Sequence, residues 1–184
     1  MKQYLIVVDM QNDFISGVLG TDEAKAIVSN VKEKIEKAIG KKGVFFTQDT
    51  HYDDYLETIE GKHLPVAHCL HETEGWQVAE ELLDVLNRRG MKPDQIIKNT
   101  FGAEELVKRL KNLDQNEKIE EIELIGLCTD ICVISNALLL KAFFPEVRIS
   151  VDAACCAGVT PSSHENALEA MKMCHIEVYG QEAR

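Results

Sequence analysis

Residues 122–132, IELIGLCTDIC, combine a buried strand with the start of a connection to a helix. The run from Ile122 to Leu127 is apolar except for Glu123, which is typical of a strand covered on both faces in a parallel sheet. It leads directly into Cys128 and Cys132, and a helical pattern follows to about residue 143. A strand followed by a helix is the repeating unit of an α/β fold.

The same alternation of strand and helix extends outward from this segment along the chain. Helical spacing, with caps and glycine stops, predicts further helices over residues 21–39, 76–87, 103–111 and 161–173. Short apolar runs predict further strands over residues 4–8, 43–48, 95–98, 147–151 and 176–178. This order predicts a three-layer α/β/α sandwich with a central, mostly parallel sheet of Rossmann-like type. No linker divides the chain, so we expect a single domain over residues 1–184.

Composition and charge narrow the classes of function. The chain has 184 residues, of which 45% are hydrophobic and 28% charged, and a net charge of -11. This acidic balance argues against nucleic acid and anionic membranes as partners, because both are recognised by clustered lysine and arginine. The apolar runs are strand-sized and the N-terminus shows no signal-like pattern, so a cytoplasmic location is expected. Six cysteines without a Cys-x-x-Cys pair argue against a disulfide framework.

Three polar or reactive residues lie where predicted strands end: Asp9, Lys98 and Cys132. The carboxyl ends of parallel strands share one edge of the sheet, where ligands bind, so these side chains are expected to converge. A thiol near a cation and a helix N-terminus is expected to have a lowered pKa, as a nucleophile requires. Taken one at a time, each residue has an ordinary alternative as a turn residue, a solvated lysine or an inert buried thiol.

The flanking sequence resembles a known family. VVDMQNDF at residues 7–14, IKNTFGA at 97–103 and GLCTDICV at 126–133 are similar to the three signature blocks of the isochorismatase-like cysteine hydrolases. Residues 47–51, 65–69 and 151–153 extend the resemblance over essentially the whole chain.

The resemblance implies a catalytic triad of Asp9, Lys98 and Cys132. The nucleophile of the family follows a Thr-Asp-x pattern, which selects Cys132 over Cys128. The family also implies a cis peptide between Leu127 and Cys128, an oxyanion hole from the backbone N–H groups of Cys128 and Cys132, and a substrate contact from Phe14. The expected chemistry is hydrolysis through a thioester.

The long polar segment after residue 49 carries candidate metal ligands. Asp49, His51 and His68 are carboxylate and imidazole ligands of the kind that suits zinc, manganese or iron. The nicotinamidases of the family hold a divalent metal in this region, and Glu60 best matches the remaining ligand, with Glu57 and His63 as alternatives. The resemblance therefore implies a divalent metal, with zinc as the leading candidate.

The resemblance implies nicotinamide as the leading substrate and a homo-oligomer as the assembly. Leu64 stands where many nicotinamidases have an aromatic residue, so ring stacking is expected from Phe14, Tyr55 or Phe101. The close alternative is an N-carbamoyl or ureidoacrylate-type amide. Isochorismate is disfavoured because its hydrolysis does not need the cysteine. Outside the hydrolases, a thiol redox sensor using Cys128 with Cys132, or Cys155 with Cys156, and a catalytically silent binding module stay open.

Overall fold

A computed structural model of the protein describes residues 2–181, so Met1 and residues 182–184 of the predicted domain lie outside the described residues. Its centre is one six-stranded sheet with the strand order β3-β2-β1-β4-β5-β6, and every neighbouring pair is parallel. The strands are β1 (Lys2–Val8), β2 (Gly43–Asp49), β3 (Asp94–Lys98), β4 (Ile119–Leu127), β5 (Arg148–Ala157) and β6 (Glu177–Tyr179). The predicted parallel α/β sheet is confirmed.

Helices cover both faces of this sheet and complete the predicted three layers. They are α1 (Asn12–Ile15), α2 (Asp22–Ala38), α3 (Ile59–His63), α4 (Glu80–Asn87), α5 (Glu104–Asn116), α6 (Ile134–Phe143) and α7 (Pro161–Met173). Alternate residues of β1 separate two cores, because side chains of a strand point to opposite faces. Leu5 and Val7 pack under α2 and α4, whereas Ile6 and Val8 pack under α5, α6 and α7. In the described part of the chain, no helix has the length and apolarity needed to cross a membrane.

The bounds of several predicted elements differ from the observed ones. β5 runs to Ala157 instead of residue 151, with a register shift against β4 that local apolar spacing does not reveal. α4 begins at Glu80 instead of near Trp76, because residues 77–79 are held in extended contact with the chain after β1. There, the Ala79 N–H donates to the Met10 carbonyl at 3.0 Å.

The segment after β2, expected to be irregular, contains a single 3₁₀ turn (Tyr55–Glu57) and the short helix α3. Thr58 caps α3 by accepting a hydrogen bond from the Gly61 N–H at 3.0 Å. The short helix α1 was also not predicted. Both elements lie beyond the carboxyl ends of the strands, so they add walls to the edge where the candidate residues lie.

Candidate active site

Asp9, Lys98 and Cys132 meet at the carboxyl edge of the sheet. Asp9 directly follows β1, Lys98 is the last residue of β3, and Cys132 lies in a π-helical turn after β4 (Thr129–Val133). The Lys98 Nζ lies 2.7 Å from Asp9 Oδ2 and 3.5 Å from Cys132 Sγ. All three residues are almost completely buried. The convergence predicted from the strand ends is therefore observed.

Asp9 is fixed by its neighbour strand. Its backbone has a φ of 46°, a left-handed conformation in which non-glycine residues are uncommon. The Thr47 hydroxyl donates to Asp9 Oδ1 at 2.6 Å, and the Asp9 N–H donates to the Thr47 carbonyl at 3.2 Å. Burial raises the pKa of the Asp9 carboxyl, and the positive charge of Lys98 only partly offsets this effect. Asp9 is thus a stronger base than an exposed aspartate.

The expectation of a lowered thiol pKa was wrong. Burial raises the pKa of Cys132 well above its usual range, the charge of Asp9 raises it further, and Lys98 opposes both effects. Burial would lower the pKa of Lys98, but the neighbouring Asp9 and Cys132 raise it, so the lysine stays charged. The resting thiol keeps its proton and needs a base to become a nucleophile.

Lys98 also connects the triad to the predicted metal ligands, a link that the sequence did not reveal. Its Nζ donates to Asp49 Oδ1 at 3.0 Å. The side-chain amide of Gln11 holds the backbone of Asp49 from both sides, with its oxygen accepting from the Asp49 N–H and its nitrogen donating to the Asp49 carbonyl, each at 2.8 Å. One carboxylate therefore faces Lys98 with one oxygen and two histidines with the other.

The predicted metal ligands Asp49, His51, Glu60 and His68 form one cluster. Their ligand atoms all lie within 4.8 Å of one another. His51 Nε2 lies 3.0 Å from Asp49 Oδ2 and 3.7 Å from Glu60 Oε1, and His68 Nε2 lies 3.7 Å from Asp49 Oδ2. His68 Nδ1 is hydrogen-bonded to the Val66 carbonyl at 2.8 Å, which orients its other ring nitrogen toward the cluster. Two imidazoles and two carboxylates fit a divalent ion of the zinc, manganese or iron type.

The electrostatics of this cluster favour an ionised carboxylate on Asp49. Burial would raise the pKa of Asp49, but the hydrogen bonds from His51 and His68 and the charge of Lys98 bring it below its usual range. Burial would lower the pKa of His68, and its contacts with Asp49 and the Val66 carbonyl raise it instead. The lowered pKa keeps the Asp49 carboxylate ionised, as a metal ligand requires, whereas a bound ion must displace the proton that the raised pKa favours on His68.

The alternatives to Glu60 lie outside the cluster. Glu57 ends the 3₁₀ turn and is exposed, whereas His63 is exposed with its Nδ1 bonded to the Ile59 carbonyl at 2.8 Å. Glu60 belongs to the first turn of α3, which brings its carboxylate toward His51. The short helix that the sequence analysis missed thus explains why Glu60 matches the site.

The turn that carries Cys132 is held at several points. The peptide between Leu127 and Cys128 is cis, as the family resemblance implied. The side-chain amide of Asn136 donates to the Cys132 carbonyl at 2.8 Å and accepts from the Ala103 N–H at 2.9 Å. The Thr129 hydroxyl is hydrogen-bonded to His164 Nδ1 at 2.8 Å. The roles of Asn136, His164 and Thr47 were not predicted, because each has a partner 33 or more positions away along the chain.

A cavity of about 760 Å³ opens above these groups. Cys128 and Cys132 line it together with the metal-ligand candidates Asp49, Glu60 and His68. Phe14 also lines the cavity, with its ring 5.4 Å from that of His68 in an edge contact, and Phe101 forms part of the wall.

The prediction that Tyr55 could stack on the substrate ring is wrong. It is 1% exposed, packs against His51 and His68 from behind, and donates its hydroxyl to the Leu64 carbonyl at 2.9 Å. Of the three aromatic candidates, Phe14 and Phe101 are the two that reach the cavity.

The charged groups of the cavity wall limit which ligands the cavity can hold. Among the described residues that line it, none is a lysine or an arginine, and the titratable side chains there are Asp49, Glu60, the two histidines His63 and His68, and the two thiols. Lys98 lies behind this surface, paired with two carboxylates. The wall itself offers no fixed cation to a carboxylate-bearing ligand.

Residues 3–183 match the model of the isochorismatase domain. The chain belongs to the isochorismatase family. A curated nicotinamidase from Schizosaccharomyces pombe is 24% identical, over 96% of this chain and 92% of that protein.

Solved structures of isochorismatase-family members share the fold. The nicotinamidase/pyrazinamidase PncA from Bacillus subtilis is 26% identical with a TM-score of 0.83, over 97% of this chain and 99% of that one. The pyrazinamidase of Pyrococcus horikoshii, solved in complex with zinc, is 23% identical with a TM-score of 0.77, over 98% of this chain and 100% of that one.

Proposed function

We propose that this isochorismatase-family protein hydrolyses a small, neutral, planar amide through a thioester on Cys132, with nicotinamide as the leading substrate. Family membership and the nicotinamidase relatives indicate a hydrolase that acts on amide C–N bonds. The observation that carries the mechanism is the contact of one buried lysine with both Asp9 and Cys132 at the base of the cavity. The proposed unit of activity is a single domain spanning residues 1–184.

Acylation begins with transfer of the Cys132 proton to Asp9. The raised pKa of Asp9 makes it a suitable acceptor, and Lys98 stabilises the negative charge wherever it lies in the pair. The thiolate then attacks the amide carbonyl carbon. The backbone N–H groups of Cys128 and Cys132 are the proposed oxyanion hole for the carbonyl oxygen. Asp9 returns its proton to the nitrogen, the C–N bond breaks, and ammonia leaves a thioester on Cys132.

Deacylation uses the same carboxylate. Asp9 takes a proton from a water molecule, the resulting hydroxide attacks the thioester carbonyl, and the C–S bond breaks. The proton on Asp9 returns to the sulfur, which restores the thiol. The product is a carboxylic acid, which releases its proton to solvent or to the departing ammonia at neutral pH, and the cavity wall holds no lysine or arginine among its described residues to retain the carboxylate.

We further propose that Asp49, His51, Glu60 and His68 hold a divalent metal, with zinc as the first candidate because the Pyrococcus horikoshii relative was solved with zinc. When bound, such an ion supplies a Lewis acid that can orient a nitrogen or oxygen of the substrate. Phe14, in edge contact with His68, is the proposed ring contact for a planar substrate on this side of the cavity.

The alternative substrates are less well supported. N-carbamoyl amino acids and ureidoacrylate-type molecules carry a carboxylate, which an enzyme recognises with arginine or lysine. The lining residues that the structure describes include neither, so a neutral amide fits better.

A thiol sensor is also less well supported. Cys155 and Cys156 are buried in the two different cores on opposite faces of β5, so their thiols point away from each other. Cys128 and Cys132 both line the cavity, where the hydrolytic mechanism already accounts for them.

The test is ammonia release from nicotinamide, pyrazinamide and several N-carbamoyl amides after metal repletion. Wild type, Cys132→Ala and the control Cys174→Ala, at an exposed cysteine, would be compared. We expect release from nicotinamide that disappears in Cys132→Ala and persists in Cys174→Ala. Release from carbamoyl compounds alone would overturn the substrate, and release by Cys132→Ala at the wild-type rate would overturn the thioester.

The cellular and quaternary setting is part of the same proposal. We propose a cytoplasmic enzyme that forms a homo-oligomer and has a small-molecule amide as its partner, without nucleic acid or membrane. Light scattering of the purified protein measures the oligomer directly.

A further inference from the structure

The cavity is larger than the proposed substrate requires. A pyridine carboxamide has nine non-hydrogen atoms, and at about 30 Å³ each, the volume of one water molecule in the liquid, it fills at most about 270 Å³. The cavity measures about 760 Å³. Even with a hydrated metal ion at the acidic cluster, a large part of this space lies beyond a ring whose carboxamide reaches Cys132.

The outer part of the cavity is bounded by exposed apolar side chains. Ile59 is 78% exposed, Val159 52%, Phe101 46% and Leu64 37%, whereas Cys132 at the base is 5% exposed. These four residues, which we call the apolar rim, come from α3 and the residue after it, from the loop after β3 and from the loop before α7. Apolar side chains gathered from separate segments around the mouth of one cavity indicate a binding surface.

We infer that the preferred substrate is a neutral primary amide whose ring carries an apolar substituent, seated against the rim formed by Ile59, Leu64, Phe101 and Val159. This inference rests on the proposed amide hydrolysis and adds a substrate class to it. The carboxamide lies at Cys132 at the base, so the opposite end of the ring points toward the opening. An alkyl or aryl group there removes apolar surface from water on both ligand and protein.

The substituent acts on binding and leaves the chemistry at Cys132 unchanged. Each carbon buried against the rim is expected to lower KM about two- to fourfold, where fourfold corresponds to full burial of a methylene group. The value of kcat is expected to stay close to that for nicotinamide, since the added group is remote from the reacting carbonyl. A charged group of the same length gains nothing, because the lining residues described include no cation to receive a carboxylate.

The experiment measures ammonia release from nicotinamide and from its 5-methyl, 5-propyl, 5-phenyl and 5-(2-carboxyethyl) derivatives, with the metal-replete wild-type protein; position 5 is adjacent neither to the carboxamide nor to the ring nitrogen. We expect KM to fall from nicotinamide to the propyl and phenyl compounds and to rise at least about tenfold from propyl to carboxyethyl. A KM that rises with the size of the apolar group would overturn the inference while leaving nicotinamide hydrolysis intact. Silence toward every amide would overturn the proposed function and the inference together.

Variants of the apolar rim test whether the substituent binds there. Ile59→Ser and Val159→Ser, singly and combined, are expected to reduce the KM ratio of nicotinamide to 5-propylnicotinamide toward one. Met173→Ser is the matched control, because Met173 is also apolar and 81% exposed but lies at the end of α7, outside the cavity lining. The KM ratio of the Met173→Ser variant should equal that of the wild type. If the rim variants keep the wild-type ratio, the substituent binds elsewhere and the inference is wrong.

Discussion

Two clusters of charged side chains among the described residues differ in burial and in access to the cavity. At the carboxyl edge, Lys98 faces the two carboxylates Asp9 and Asp49 beside a thiol. Under α2, a second cluster joins three cationic side chains to four carboxylates, namely Lys34, Lys42, Arg148, Glu121, Glu123, Asp152 and Glu177. None of these seven residues lines the cavity.

The second cluster is satisfied internally. Lys34 lies 2.6 Å from Glu123 and 2.8 Å from Asp152, Lys42 lies 2.7 Å from Glu123, and the Tyr179 hydroxyl donates to Glu123. In the first cluster, one lysine serves two carboxylates, and the excess negative charge faces the proposed metal ligands and the thiol. The comparison teaches that burial of ion pairs does not by itself indicate a site. A site is indicated where a carboxylate without its own cation lies at the wall of a cavity.

The largest expected effect is the loss of activity when Lys98 of the first cluster is replaced. Lys98→Met leaves Asp9 and Asp49 buried without their cation and leaves the thiolate uncompensated. We expect kcat/KM for amide hydrolysis to fall at least about a thousandfold, and the free energy of unfolding to fall by about 3–5 kcal/mol. Enzyme assay and urea titration measure the two effects. Lys37→Met, which breaks the exposed pair with Glu33, is the control and should change both very little. Full activity in Lys98→Met would contradict the proposed mechanism.

The second effect concerns the metal. Zinc added to chelator-treated protein at about 100 times its Kd is expected to raise the free energy of unfolding by about 2.7 kcal/mol. His68→Ala removes one of the clustered ligands and should abolish most of this gain, whereas Lys34→Met in the other cluster should keep it. Thermal melts with and without the ion measure the gain. Equal stabilisation of His68→Ala and wild type would place the ion elsewhere.

The third effect is a loss of stability when Lys34 of the cluster under α2 is replaced. Lys34→Met leaves Glu123, 2% exposed, with one lysine fewer, and the lysine itself is only partly exposed. The expected loss is about 2 kcal/mol of unfolding free energy, between the values for exposed and fully buried pairs. Activity should stay within about twofold of wild type, because no residue of this cluster reaches the cavity. Loss of activity without loss of stability would show that the two clusters are coupled.

The two clusters were not equally visible in the sequence. Asp9, Lys98 and Cys132 end predicted strands, and parallel strands must bring their carboxyl ends to one edge, so topology alone implied their convergence. The contact between Lys98 and Asp49 needed the register of β2 against β3, in which these two residues are paired. Local periodicity carries no register between strands, so this link was not predicted.

The cluster under α2 was invisible for a related reason. Lys34 lies on the polar face of an amphipathic helix, as many solvated lysines do. Nothing in the local sequence predicts its contact with Asp152, 118 positions away. Glu60 was chosen by family resemblance, and its helix was missed because a five-residue helix carries too little periodicity to detect. Sequence patterns thus located the groups that share a sheet edge, whereas contacts made across layers required the structure.

The smallest effect is a pH dependence that belongs to the cluster under α2. Burial would lower the pKa of Lys34, but its hydrogen bonds and charge contacts with Asp152 and Glu123 raise it above the unfolded value of 10.5. The folded state therefore holds this proton more tightly than the unfolded state. The resulting stability is fully present below pH 10.5 and is lost as pH rises through the folded pKa.

The difference in unfolding free energy between wild type and Lys34→Met should then be constant from neutral pH to about pH 9.5 and shrink above pH 10.5. Lys98 titrates in both proteins, so its contribution cancels in the subtraction. Urea titrations of the two proteins across this range measure the difference. A difference that stayed constant at alkaline pH would mean that Lys34 stabilises the fold through its aliphatic stem, so that the cluster under α2 would be held by packing rather than by charge.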